Sequence, residues 1–377
     1  MAAYDIAVIG AGIAGASLAA ELAAQTGSGE GIVLLEAEDQ PGYHTTGRSA
    51  AFWSETYGGP GIVPLSLASG DSLRDMGFLH RRGALHMVRG DDMGALDSFM
   101  TTYADTGAKL EKVGRQVMEA HVPGLRPEWQ GAVYEPECSD IDVAGLHQHY
   151  LGEAARAGAS LFCRARVVSC RRTAGACQIT CADGRSFEAA LLVNAAGAWA
   201  DEIARLAGAA PLGITPYRRT VVQLALGRVP PPDLPLVLDI GGTFYFKPEN
   251  GRLWLSPHDE VADRPGDVAA EEMAVAEAID RFENVVDWPV DRVERRWAGL
   301  RSFAPDRLPV YGYDPDCEGF FWCAGQGGFG IQTAPAAARM AARLVTGAAP
   351  EEGQTEIDPA AYLPGRFHEV PRDAPDG

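Results

Sequence analysis

The stretch "YDIAVIGAGIAGASLAAELAAQTG", Tyr4 to Gly27, decides the fold. Its opening, through Ile9, is a short apolar run halted by glycine, which predicts a buried strand. Its second part is alanine-rich and ends at Gly27, which predicts a helix closed by glycine. Between them Gly10, Gly12 and Gly15 stand in a GxGxxG pattern. Gly10 permits the tight turn, Gly12 lets backbone approach a pyrophosphate, and Gly15 lets the helix pack closely on the strand. The helix start presents unsatisfied N–H groups and a partial positive charge to phosphates. "GIVLLEAE", Gly31 to Glu38, reads as a second apolar strand. Glu36 lies about 20 residues beyond the last glycine, where a carboxylate bonds the ribose hydroxyls. That charge would repel a 2′-phosphate, so NADP is disfavoured and FAD and NAD both stay open. Strand, helix and strand in this order open the parallel sheet of an α/β chain.

The rest of the chain fits two domains. It has 377 residues, 46% hydrophobic and 22% charged, which suits a globular protein with a sizeable core. No apolar run is long enough to span a bilayer. The N-terminus enters a strand almost at once and lacks a basic n-region, so a secretory signal is not expected and the cytoplasm is. Net charge is −19, and only Lys109, Lys112 and Lys247 are lysines. Such a surface disfavours nucleic acid and anionic lipid. The seven cysteines include no CxxC and no histidine pair at metal spacing, so free thiols and no metal site are expected. A βα pattern returns from about 141 to 213, with helices at "VAGLHQHYLGEAARAG" and "WADEIARLAG". β-rich stretches surround a charged helical region, Asp267 to Val286, and Asn250-Gly251 predicts a hairpin turn. The cofactor domain is therefore expected as 1–64, 141–213 and 302–365. The substrate domain is expected as 65–140 and 214–301, with 366–377 as a tail. Domains threaded in this way commonly carry a ligand cleft.

Three further motifs bear on chemistry. "LLVNAAGAWAD", Leu191 to Asp201, is an apolar strand ending in small residues, where another layer of the cofactor domain can come close. "FWCAGQGGFGIQTAPAAARMAARL" places Gly325, Gly327, Gly328 and Gly330 between a strand and a helix, with Thr333 as N-cap and Pro335 in the first turn. A helix start of this kind stabilises anionic charge, such as that of a reduced flavin. "PGYHTTGRSAAFWSETYG", Pro41 to Gly58, has no period, and runs from small residues into Phe52, Trp53 and Tyr57.

Taken in order with "RRWAGLRSFAPDRLPVYG", these motifs resemble the D-amino-acid oxidase / glycine oxidase family of FAD-dependent oxidoreductases, over roughly residues 4 to 345. Within that family the bacterial D-arginine dehydrogenase type is most similar. The resemblance implies a Rossmann-type FAD-binding domain with an interleaved α+β substrate domain carrying a mostly antiparallel sheet. It implies FAD contacts from Gly10, Gly12, Ala14, Gly15, Glu36, Ala37, Val167, Gly197, Gly327, Gly328, Phe329, Gly330, Ile331 and Gln332. Thr45, Thr46, Gly47, Arg48, Ser49, Ala50 and Ala51 match the flavin-contacting stretch, with Arg48 offsetting pyrophosphate charge. Phe52 and Tyr57 would then face substrate, and Arg218, Tyr245 and Arg301 would surround its carboxylate. Arginine suits that task because its fork bonds both oxygens.

Two departures shape the expectation. Phe52 stands where the dehydrogenase type has histidine. The stretch Arg81 to Met87 holds no acid to receive a cationic side chain, and His86 within it reads as a solvated loop histidine or a replacement contact. Apolar or aromatic side chains are therefore expected over arginine and lysine. No cysteine lies near Arg301, where sarcosine oxidases attach flavin, so FAD is expected without a covalent bond. The expected reaction is hydride transfer from a D-amino acid to flavin N5, giving an imino acid and then a 2-oxo acid. The acceptor that reoxidises the flavin, whether quinone, dye or oxygen, stays open. The rival expectations are oxidation of a secondary amine or 2-hydroxy acid, or a flavin-binding subunit or sensor without turnover.

Overall fold

A computed structural model describes residues 2–50, 52–173, 175–350 and 357–367. The chain divides into two compact units: 1–47, 143–216 and 301–377 form one, 48–142 and 217–300 the other. The first boundary falls between Gly47 and Arg48, so most of the aromatic-rich stretch belongs with the second unit.

The first unit is built on strand Ala2–Ile9, which pairs in parallel with Ile32–Leu35 on one side and Ser186–Asn194 on the other. Phe320–Ala324 continues the parallel run beside Ser186–Asn194, and Ser160–Phe162 beside Ile32–Leu35. An antiparallel meander, Val167–Thr173 and Ala176–Cys181, joins the same sheet. The residues of Ile32–Leu35 and Phe320–Ala324 are buried throughout, as strands covered on both faces must be. Helices Ile13–Thr26, Val143–Arg156 and Ala334–Thr346 pack in this unit, the first against both others. Helix Ile13–Thr26 ends on Gly27 at φ 75°, the left-handed closure its sequence predicted.

The second unit carries a mostly antiparallel sheet. Thr215–Leu226 pairs with Arg252–Ser256, which pairs with Tyr245–Glu249, then Leu236–Asp239. Leu236–Asp239 runs parallel to Ala84–Arg89, and the sheet continues through Trp129–Glu135 to Glu111–Gly114. The hairpin turn sits at Asn250 and Gly251, both with positive φ. The charged helical region is helix Glu272–Glu283, shorter than the stretch that suggested it. Its Val275, Ala278 and Phe282 pack with Phe246, Leu255 and Trp288 in this unit's core. Burying each such large apolar side chain contributes about 1.5–3 kcal/mol. A small sheet pairs Phe52–Trp53 with Ser139–Ile141 and that strand with Leu79–Arg81.

All seven cysteines are free thiols. Among the described residues no group of His, Cys, Asp and Glu is arranged to hold a metal ion, and no helix is long and apolar enough to cross a membrane. Of the expected tail, 366 and 367 end a short 3-10 turn, Pro364–Phe367, while 368–377, like 351–356, lie outside the described residues.

Candidate active site

In the first unit the glycine turn is shaped by close approaches. A Cβ on Gly10 would lie 2.5 Å from the Ala195 carbonyl oxygen, and one on Gly15 would lie 2.0 Å from the Gly10 carbonyl oxygen. Gly10 also sits at φ 99°. Neither position admits a side chain, for reasons of both space and, at Gly10, backbone conformation. The "NAAG" motif is what approaches Gly10, so its small residues do bring a second layer close. Asn194, fully buried, shapes that turn by donating to the Ala200 carbonyl at 2.8 Å and accepting from the Ala196 N–H at 3.3 Å.

The helix start at Gly12 has two side-chain neighbours. Thr46 Oγ1 accepts from the Ile13 N–H at 3.0 Å, and a Cβ on Gly12 would meet that oxygen at 3.3 Å. Glu36 accepts from the Ala11 N–H through Oε2 and from the Glu38 N–H through Oε1, each at 2.9 Å. Its carboxylate therefore braces the turn, and each oxygen keeps a further lone pair for a ribose hydroxyl. His147 was not foreseen. Its Nε2 donates to the Ala11 carbonyl at 2.8 Å, and burial pulls its pKa below the ordinary histidine value. Its only sequence signal was a histidine on the buried side of a predicted helix.

The remaining cofactor candidates of this unit occupy two turns and two strand ends. Gly197 lies at φ 54° as the last residue of the "NAAG" motif, and Val167 is buried at the start of the meander. Ala14 and Ala37 are half-buried beside the glycine turn and after the second strand, and Thr45 is exposed. Gly47 closes a turn by donating to the Gly42 carbonyl at 2.8 Å. At the second glycine turn a Cβ on Gly327 would lie 2.2 Å from the Phe303 ring, and one on Gly330 would lie 2.8 Å from Gln326 Cβ. Phe329, Ile331 and Gln332 are buried, and Gly328 is half-buried. Thr333 stands at the N-cap as expected, but its hydroxyl donates to the Phe329 carbonyl at 2.9 Å and caps no helix N–H.

Arg48, Ser49 and Ala50 belong to the second unit, and Ala51 lies outside the described residues. Arg48 donates to the Ala298 and Val268 carbonyls at 3.2 Å each and pairs with Asp267 at 2.5 Å. Its charge is answered there by a carboxylate, which the expectation of pyrophosphate neutralisation did not foresee. Asp267 is far along the sequence and carries no motif to announce the pair.

Four candidates for substrate contact share the second unit. Phe52 meets Tyr57 with ring centroids 5.0 Å apart and Tyr245 at 5.6 Å, both edge to face. Tyr245 meets His258 at 5.7 Å, and His258 has φ 56°. Tyr245 is 1% exposed, yet its hydroxyl has no hydrogen-bond partner among the described residues. Arg218 is held through Nη1 by Asp263 at 3.0 Å and through Nη2 by Glu271 at 2.6 Å, leaving its buried Nε without a partner among the described residues. The free fork expected of Arg218 is thus closed by two carboxylates. Arg301 is half-buried near the end of strand Val290–Phe303, in a stretch counted with the first unit.

The reading of His86 as a solvated loop residue is corrected. It lies buried on strand Ala84–Arg89, with Nε2 3.1 Å from Glu135 Oε2. An acid does adjoin the Arg81 to Met87 stretch, supplied across the sheet by Trp129–Glu135. Glu55 is buried nearby and accepts from the Lys109 N–H at 2.7 Å, and its pKa is pushed up to about 7, chiefly by burial.

The family model described as DAO, FAD dependent oxidoreductase, matches residues 5–344, and the chain belongs to that family. It is 25% identical over 382 residues to the glycine oxidase of Geobacillus kaustophilus, covering 95% of this chain and 96% of that protein. It is also 25% identical over 185 residues to FAD-dependent oxidoreductase domain-containing protein 1 of Xenopus laevis, covering 43% of this chain but only 36% of that protein. In fold it is similar to the L-proline dehydrogenase from P. horikoshii, with a TM-score of 0.83, 21% identity, and 97% and 98% of the two chains covered. The cofactor of the family is FAD, which settles the choice the glycine turn left open. The turn fits it: Gly10, Gly12 and Gly15 form a cradle that a Cβ would fill, at a helix start, as a pyrophosphate requires.

Proposed function

We propose that the protein oxidises the amino group of an amino acid, a D-amino acid with an apolar or aromatic side chain before others. The observation that carries this is the buried Tyr245 hydroxyl. A polar group taken out of water without a partner costs about 1–3 kcal/mol, so it calls for a ligand acceptor. The rings of Phe52 and Tyr57 beside it offer apolar surface for a side chain, at about 25 cal/mol per Å² buried. Tyr245 would donate to the substrate carboxylate. Arg218 can add its Nε, but a two-pronged grip would require Asp263 or Glu271 to give way. When bound, FAD supplies the two-electron acceptor. The chain's residues orient the amino acid and exclude water, and the released imino acid is hydrolysed to a 2-oxo acid and ammonia.

The likeness to the D-arginine dehydrogenase type supports the D-configuration but not a cationic side chain. Of the acids bonded to the relevant stretch, Glu135 is fully buried and accepts from Ser54 and Thr56, while Glu137 and Asp140 are paired with Arg81 and Arg82. A second reading, oxidation of glycine or an N-methyl amino acid, is favoured by the full-length likeness to a glycine oxidase. The test is anaerobic bleaching of the flavin by D- and L-amino acids, N-methyl amino acids and 2-hydroxy acids. D-phenylalanine and D-leucine are expected to give higher kcat/KM than D-arginine. An arginine value above both would overturn the side-chain assignment. No reduction by any amine would overturn the reaction and favour a sensor or subunit.

A further inference from the structure

The polar cluster around Glu135 is given no role in orienting substrate by the reading above, on which this inference rests. Glu135 is fully buried. Its Oε2 accepts from Ser54 Oγ at 3.0 Å and Thr56 Oγ1 at 2.9 Å and lies 3.1 Å from His86 Nε2, while its Oε1 accepts from the Glu55 N–H at 2.5 Å. Three successive residues of one segment thus converge on a single carboxylate. That segment has no regular structure of its own, because it follows the two-residue strand Phe52–Trp53 and enters a turn. Just past Tyr57, Gly58 and Gly59 both adopt positive φ, so the chain on that side is intrinsically permissive. Tyr103 adds one bond from the far side, its hydroxyl donating to the Thr56 carbonyl at 2.9 Å. A buried carboxylate is a costly way to hold a loop, whereas an apolar side chain would fill the space at no such penalty. The carboxylate instead offers four directional acceptor sites, which fix a backbone to a fraction of an ångström.

We propose that Glu135, with His86 as its fourth partner, is a positioning residue. It fixes Ser54 to Thr56 and thereby sets where Tyr57 and Phe52 stand against Tyr245. Because the inference rests on the proposed reaction, its test separates the two. The variants are Glu135→Gln, which puts an amide donor where an acceptor is needed, and Ser54→Ala with Thr56→Val, which removes two donors and keeps the acid. Each is purified with FAD and compared with the unaltered protein for flavin spectrum, amide hydrogen exchange of residues 54 to 59, and anaerobic flavin reduction by the best substrate.

Flavin content is expected to persist and exchange at 54 to 59 to rise. The half-saturating substrate concentration should rise, or the limiting reduction rate fall, by about 10- to 100-fold, the scale of a 1 Å misplacement. In a Tyr57→Ala background Glu135→Gln should add little, which mere destabilisation would not produce. Unchanged exchange, or unchanged reduction kinetics in a yellow Glu135→Gln protein, overturns the proposal and leaves the reaction standing. If the unaltered protein is reduced by no amine, the reaction itself fails before any variant is compared, and the proposal falls with it. Should Glu135→Gln not fold, the Ser54 and Thr56 variant decides by the same readouts.

Discussion

At the scale of single residues, the unexpected chemistry is acidic and buried. Glu55 keeps its proton to about pH 7 in the folded protein because burial disfavours its charge and Glu135 adds repulsion. In the unfolded chain it ionises near its ordinary value of 4.5. Between those values the folded state binds more protons than the unfolded one, so this group's contribution is present below pH 4.5 and is lost as pH rises to about 7. Glu55→Gln keeps an acceptor for the Lys109 N–H and removes the charge. Its Tm relative to the unaltered protein should therefore increase from pH 5 to pH 8. A constant difference across that range would show that Glu55 titrates normally. None of this was legible in the sequence, where Glu55 lies in an aperiodic stretch. Gly15 was legible in full, because the backbone it must clear is that of Gly10, whereas at Gly10 the tight turn was legible but the approach of the Ala195 carbonyl was not.

At the scale of elements, paired strands bring together charges that the sequence keeps apart. Strand Tyr245–Glu249 buries Lys247, whose ammonium bonds Asp140 at 2.7 Å and lies 3.3 Å from Glu249. Asp140 belongs to the small sheet and also accepts from Arg82 Nε at 2.6 Å. Burial alone would raise the Asp140 pKa, but these two cations outweigh it and hold the carboxyl below its ordinary value. Removing Lys247 leaves Asp140 with Arg82 as its one cation and takes from Glu249 the ammonium beside it. Lys247→Met should thus cost less than the roughly 3–5 kcal/mol of a fully broken buried pair, but more than about 1 kcal/mol, read from urea unfolding. A Lys247→Met variant within about 1 kcal/mol of the unaltered protein, the range of an exposed pair, would show that solvent screens the site. The elements themselves were largely readable: the opening strand, helix and strand, the Asn250-Gly251 turn and the three main helices of the first unit all stand where their patterns placed them. The pairings were not, because strand order depends on which apolar faces meet and no local period records that.

At the scale of the whole molecule, the cofactor assignment follows from motifs spread along the chain, and the expected mode of attachment rests on where the thiols lie. Cys323, next to the second glycine turn, is completely enclosed and its thiol is pushed up to about 12 by burial. A thiol held protonated at neutral pH is a poor nucleophile. Cys317 is likewise raised by burial. The flavin is therefore expected to be released entirely into the supernatant when the yellow protein is precipitated with acid. Colour retained in the pellet would mean a covalent bond.

By itself, the sequence determined the dinucleotide turn, the α/β class, the resemblance to an FAD-dependent family and the short list of aromatic and arginine candidates. Each of these is written in local spacing or in ordered motifs. Only the tertiary structure decided which candidates are already engaged. Arg218 and Arg48, expected from the sequence at the substrate carboxylate and the pyrophosphate, proved to be held by Asp263, Glu271 and Asp267, while the Tyr245 hydroxyl was left buried without a partner among the described residues. The physical reason is that a side chain's availability depends on what the fold packs around its polar atoms. Those neighbours come from segments up to some 200 residues away, beyond the reach of any local pattern.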